Sequence, residues 1–109
     1  MITLHNVCLF NGHADQFCPD AAVVVKDNQI VYAGPVKQRP IIEDEGELID
    51  GRGCFVMPGM VESHAHLSYT NNGPLELDKS PVEEVMIKTI QNARVMLGSG
   101  FTSAISFGS

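Results

Sequence analysis

Short apolar runs alternate with polar turns through the first half of the chain, and near its end apolar residues recur every three or four positions. Ile2 to Phe10 predicts a strand, followed by an Asn11-Gly12 turn. A polar loop through Asp15, Pro19 and Asp20 leads into Ala21-Ala22-Val23-Val24-Val25, a dense β-branched run. Lys26-Asp27-Asn28-Gln29 turns the chain and Ile30 to Gly34 returns, which predicts a hairpin. Pro35 to Glu45 mixes charge with prolines and predicts a loop with at most one helical turn. Glu47 to Asp50 and Cys54 to Met57 predict two more short strands around a Gly51-Arg52-Gly53 turn. Strands of this length must cover one another's apolar faces, so residues 1–57 predict a small β-sandwich-like module.

Residues 58–109 have a different rhythm. Pro58-Gly59 forces a turn before a short strand from Met60 that is expected to carry His64 and His66. Ser68 to Lys79 predicts a loop long enough to be either a substrate lid or a solvated turn, with Tyr69, Asn71 and Asn72 as substrate-loop candidates. Ser80-Pro81-Val82-Glu83 has the spacing of a capping box with proline at the first helical position. Val82, Val85, Met86, Ile90, Ala93 and Leu97 then form one apolar helical face, with Glu84 and Lys88 spaced as an i,i+4 pair and Gly98 as the stop. Phe101 to Phe107 predicts a second strand. A strand, helix, strand order implies parallel pairing, as in a βαβ unit.

The chain has 109 residues, 44% of them hydrophobic and 18% charged, which suits a folded globular protein. Its formal net charge is −6 and no basic cluster exists, which argues against nucleic acid and anionic membrane as partners. No apolar run is long enough to cross a bilayer and the first residues lack a signal-peptide pattern, so cytoplasm is the expected compartment. Cys8, Cys18 and Cys54 show no C-x-x-C spacing and suit reduced thiols, with Cys8 and Cys54 expected in buried strands.

The candidate chemistry lies in Val56-Met57-Pro58-Gly59-Met60-Val61-Glu62-Ser63-His64-Ala65-His66-Leu67. Residues two apart on a strand face the same side, so His64 and His66 can aim two imidazoles at one metal ion. Glu62 falls on that side one step deeper, where it would orient an imidazole or fix the base of the strand. On the H-x-H spacing alone, two packing histidines are the plainer reading. The Pro-Gly turn, the strand, the long loop and the Gly-Phe-Thr segment at Gly100 to Thr102 favour metal ligands. His5 and His13 have no partner at ligand spacing.

This stretch, preceded by Gly51-Arg52-Gly53 and followed by Gly98 to Gly108, resembles the metal-dependent amidohydrolase superfamily. The likeness is to its imidazolonepropionase-like and prolidase-like members. Glu62 and Ser106 depart from the pattern, each standing where Asp is common.

The resemblance implies an α/β chain: a small β-module followed by the first βαβ unit of a truncated (β/α)8 TIM barrel. A barrel needs roughly 250 residues, so the chain would be the N-terminal part of a longer enzyme. It further implies a divalent metal, with zinc the leading choice, as one or two ions. Their remaining ligands and general base would lie on later strands, so no catalytic residue is expected within these residues. The implied reaction is attack of metal-activated water on a carbon-nitrogen bond of a small-molecule amide, cyclic amide or dipeptide. Ring-amidine deamination is the nearest enzymatic rival. A non-catalytic, self-assembling β-module is the alternative outside catalysis. The 109-residue chain alone is expected to be inactive and to form homo-oligomers through its open strand edge.

Overall fold

The computed structural model describes residues 1–41, 46–69 and 79–107. These form two compact units, Met1–Pro58 and Gly59–Ser109.

In the first unit, β1 (Ile2–Leu9), β2 (Cys18–Lys26), β3 (Gln29–Pro35), β4 (Glu47–Asp50) and β5 (Phe55–Val56) make one mixed sheet in the order β3-β2-β1-β4, with β5 also pairing β1. The expected sandwich is therefore a single sheet. The reason is the length of β1: its first half pairs in parallel with β4 and its second half with β5, so both short strands share one edge. The predicted hairpin is present as antiparallel β2 and β3, joined by Asp27-Asn28 between the Lys26 and Gln29 pair. Asp27 has φ 55°, the left-handed conformation that two-residue hairpin turns require.

Two offsetting bulges fix the β1–β2 register. From Leu4↔Val23 to Val7↔Ala21 the extra residue is on β1, and from there to Leu9↔Cys18 it is on β2. Asn6 and Asp20, at these bulges, both have φ 55°. Val7, Leu9, Ala21 and Val23 form the core, with Leu4, Cys18, Val25 and Val56 packed against it. Ala22 and Val24 are also buried, so the middle of β2 is covered on both faces, which is why it reads as an unbroken apolar run. Burying Val24 fully is worth about 1.5–3 kcal/mol.

Between β4 and β5 the chain makes a tight detour. Gly51 N–H donates to His5 O at 2.8 Å, Gly53 N–H to Asn6 O at 2.7 Å, and Cys8 N–H to Cys54 O at 3.0 Å. Cys54 lies outside a strand and is exposed, contrary to expectation, while Cys8 is half-buried. The detour that leaves β1 free to pair with β5 puts Cys54 on the outside of the turn.

The second unit contains β6 (Met60–Glu62), α1 (Val82–Gly98) and β7 (Phe101–Ala104). β6 and β7 are parallel, as the strand, helix, strand order requires. The helix departs from the sequence expectation in three ways. Its N-cap is Pro81, with no side-chain cap bond, so Ser80 is not the cap; the carbonyl of Pro81 accepts from Glu84 and Val85 N–H instead. Its C-terminus runs through Gly98 to a Ser99 cap, and Gly100, at φ 95°, is the residue that turns the chain. Its better-covered side runs through Val85, Thr89, Asn92, Ala93 and Met96, while Val82, Met86, Ile90 and Leu97 are exposed. Asn92, on this better-covered side, is bonded through its side chain to the segment after His66. The Glu84–Lys88 ion pair forms at 2.6 Å.

Among the described residues, no helix is long and apolar enough to cross a membrane.

Candidate metal centre

β6 ends at Glu62, so His64 and His66 lie beyond the strand that was expected to carry them. Hydrogen bonding to the β7 side nevertheless continues. Ile105 N–H donates to Glu62 O and Ala65 N–H donates to Ile105 O, both at 2.9 Å. In a regular parallel ladder the two partners of one residue are two apart. Glu62 and Ala65 are three apart, so one extra residue is accommodated at Ser63-His64. Simple alternation therefore does not explain the pair.

The carboxylate of Glu62 stabilises this irregularity, its Oε1 accepting the backbone N–H of His64 at 3.1 Å. Glu62 thus holds the main chain at His64, just beyond the end of β6. The ladder resumes at Ala65, which is buried, and the two imidazoles converge. Their Nε2 atoms are 3.1 Å apart, with ring planes at 70°.

Aromatic neighbours hold both rings. Tyr69 stacks on His66 at a centroid distance of 4.4 Å and 15°, and Phe107 lies 5.5 Å from His64. Tyr69, expected only as a substrate-loop residue, is thus in contact with the site, whereas Asn71 and Asn72 lie outside the described residues. Sequence reasoning missed Asn92, whose Nδ2 donates to Leu67 O at 2.7 Å and Tyr69 O at 3.0 Å. The available signal was an asparagine, a poor helix former, in the middle of a helix. Glu62, His64, His66, Tyr69, Asn92, Met96 and Phe101 all line one shallow cleft.

Two imidazole nitrogens, each about 2.0–2.1 Å from one ion, stand about 3–3.4 Å apart when the angle at the ion lies between square and tetrahedral. The His64–His66 separation fits that requirement. Among the described residues no group of three or more His, Cys, Asp and Glu could hold a metal.

No protein-family model matches the chain. It is 34% identical over 85 residues to an imidazolonepropionase of Brucella abortus (strain S19), an alignment covering 69% of this chain and 21% of that protein. An imidazolonepropionase of Sphingopyxis alaskensis (strain DSM 13593 / LMG 18877 / RB2256) is 38% identical over 53 residues, covering 49% of this chain and 13% of its own. Among solved structures, a Xaa-Pro dipeptidase with methionine bound in its active site superposes with TM-score 0.77 and 27% identity, covering 99% of this chain and 26% of the other. A prolidase complexed with N-methylphosphonate-L-proline gives 0.80 and 25%, covering 96% and 25%. The chain belongs to the amidohydrolase superfamily. It spans about a fifth of the length of the curated relatives it matches.

Among the described residues of this amidohydrolase-superfamily chain, the fold is a mixed sheet followed by a parallel strand pair and the helix α1. A solved amidohydrolase shares that fold at TM-score 0.83 and 21% identity, again over 96% of this chain and 25% of its own.

Proposed function

We propose that the chain is the metal-ligating N-terminal part of a hydrolase acting on carbon-nitrogen bonds of small molecules, with His64 and His66 as two ligands of its metal centre. The 3.1 Å approach of the two Nε2 atoms carries this reading. In the same reading residues 1–57 are a separate β-module and residues 58–109 begin a (β/α)8 barrel, whose later strands supply the remaining ligands and the general base. Zinc is the leading metal, as one or two ions, and the substrate is an amide, cyclic amide or dipeptide. The names of the relatives, imidazolonepropionase and Xaa-Pro dipeptidase, support that substrate class. When bound, the metal would polarise the substrate carbonyl and acidify a water.

This chain's own residues would prepare the centre. Glu62 fixes the backbone at His64, Ala65 ties the segment to Ile105 just beyond β7, and Tyr69 and Phe107 pack against the rings whose nitrogens converge. Two ligands leave an open hydrolytic site incomplete, so the 109-residue chain by itself is expected to be inactive.

The deciding experiment starts by reading the coding frame beyond Ser109 and expressing the whole product. Metal content and hydrolysis of dipeptides and cyclic amides are then measured for the wild type and for His64→Ala and His66→Ala. Loss of both metal and turnover in either variant is expected. A variant that retains its metal and its rate removes that histidine from the ligand set.

A further inference from the structure

A metal-binding imidazole is usually oriented through its second ring nitrogen, which donates to a carboxylate, a carbonyl or water. His66 departs from this habit. With Nε2 turned toward His64, its Nδ1 is buried and has no hydrogen-bond partner among the described residues. Some other contact must fix the plane of the ring. The structure offers the Tyr69 stack, nearly parallel at 15°.

That stack depends on where the chain turns after His66. Tyr69 N–H donates to His66 O at 3.0 Å, which closes the turn. The single amide nitrogen of Asn92 then spends both of its hydrogens on this turn, one on Leu67 O and one on Tyr69 O. A helix residue more than twenty positions away in sequence thus holds the backbone on both sides of Ser68.

We infer that Asn92 is a positioning residue: by clamping the Leu67 and Tyr69 carbonyls it keeps the Tyr69 ring on His66 and so aims the His66 imidazole at His64. The inference adds to the metal-centre reading, on which its significance for metal binding rests, but the clamp itself involves only Asn92, Leu67 and Tyr69. It also accounts for an asparagine at a half-buried helical position where alanine would make a better helix.

The test uses the 109-residue chain and two variants. Asn92→Ala removes both donors while raising helix propensity, so α1 is expected to persist, and helical circular dichroism checks that it does. Tyr69→Leu removes the ring but leaves its carbonyl for Asn92. The first readout is the NMR resonances of the His66 ring protons without metal. A stacked tyrosine shifts them upfield of those of His5 and His13. Both variants are expected to move them back, with the helical circular dichroism of Asn92→Ala retained. The second readout is Zn2+ affinity by competition with a chromophoric chelator, expected to weaken about tenfold in both variants.

Unchanged His66 resonances in Asn92→Ala overturn the inference. Should that variant lose its helix, Tyr69→Leu decides: unchanged His66 resonances there overturn it as well. The metal reading is decided separately, by the metal content of the whole product and of its His64 and His66 variants, while the ring resonances decide whether Asn92 orients His66.

Discussion

Ala65 is bonded to Ile105, its N–H donating to the Ile105 carbonyl at 2.9 Å immediately after the irregular Ser63-His64 step. That bond returns the chain to register and sets His64 and His66 on either side of a fixed point. Ala65 is only 6% exposed, so a larger side chain has nowhere to go. Ala65→Leu is expected to cost about 1–3 kcal/mol by overpacking and to part the two imidazoles. Urea unfolding measures the first effect and the ring-to-ring nuclear Overhauser effect between His64 and His66 the second. Wild-type values for both would show that Ala65 does not fix the pair.

Gly51 plays a comparable part in the β-module. A Cβ placed on it would run into Cγ1 of Val7 and come within 3.1 Å of His5 O. Val7 belongs to the core, and the carbonyl of His5 accepts the Gly51 N–H, so neither can withdraw freely. Gly51→Ala is expected to destabilise the sheet by about 1–3 kcal/mol. An unchanged urea midpoint would mean that β4 and β5 can shift along β1 without loss.

These two sites show what the sequence carried and what it did not. The β2–β3 hairpin was legible because its signals are local: a β-branched run, a two-residue turn, a second run. The parallel pairing of β6 and β7 followed from the order of elements. The convergence of His64 and His66 was anticipated, but the alternation argument behind it was incomplete. Their geometry depends on Ile105, some forty residues away, and on an extra residue that no local pattern marks. Among the described residues the better-covered side of α1 is turned from the expected stripe and shares Val85 and Ala93 with it. Apolar spacing marks the sides a helix can bury, whereas the Asn92 bonds to Leu67 and Tyr69 decide which side meets this segment.

The Glu84–Lys88 pair is a useful contrast with Asn92 on the same helix. It is short, at 2.6 Å, but the two side chains are 52% and 36% exposed. Solvent screens such a pair, so Lys88→Ala is expected to cost only about 0.2–0.5 kcal/mol, with less effect at high salt. A loss above about 1 kcal/mol, outside the range of exposed pairs, would show that Lys88 does something beyond pairing. The check is a urea titration at low and high salt.

Asp50 gives the β-module a predictable response to acid. Its Oδ1 accepts the Arg52 backbone N–H at 2.9 Å and the Asn6 amide at 2.8 Å. Both bonds favour the ionised carboxylate, the Arg52 bond most strongly, and His5 adds a smaller attraction, so the pKa lies below the ordinary aspartate value. In the unfolded chain that value is about 3.9. The stabilisation is therefore complete above the unfolded pKa, and is lost as pH falls through the lower folded one. Asp50→Asn keeps an oxygen that can accept both bonds but removes the titration. Measured between about pH 6 and pH 2, on either side of the unfolded aspartate pKa, the urea midpoints of the two proteins should differ by a constant amount at the upper end. The wild type should then lose the additional stability as the solution is acidified. Curves that stay parallel down to the lowest pH would show that the clasp of Asn6, Asp50 and Arg52 does not depend on the charge of Asp50.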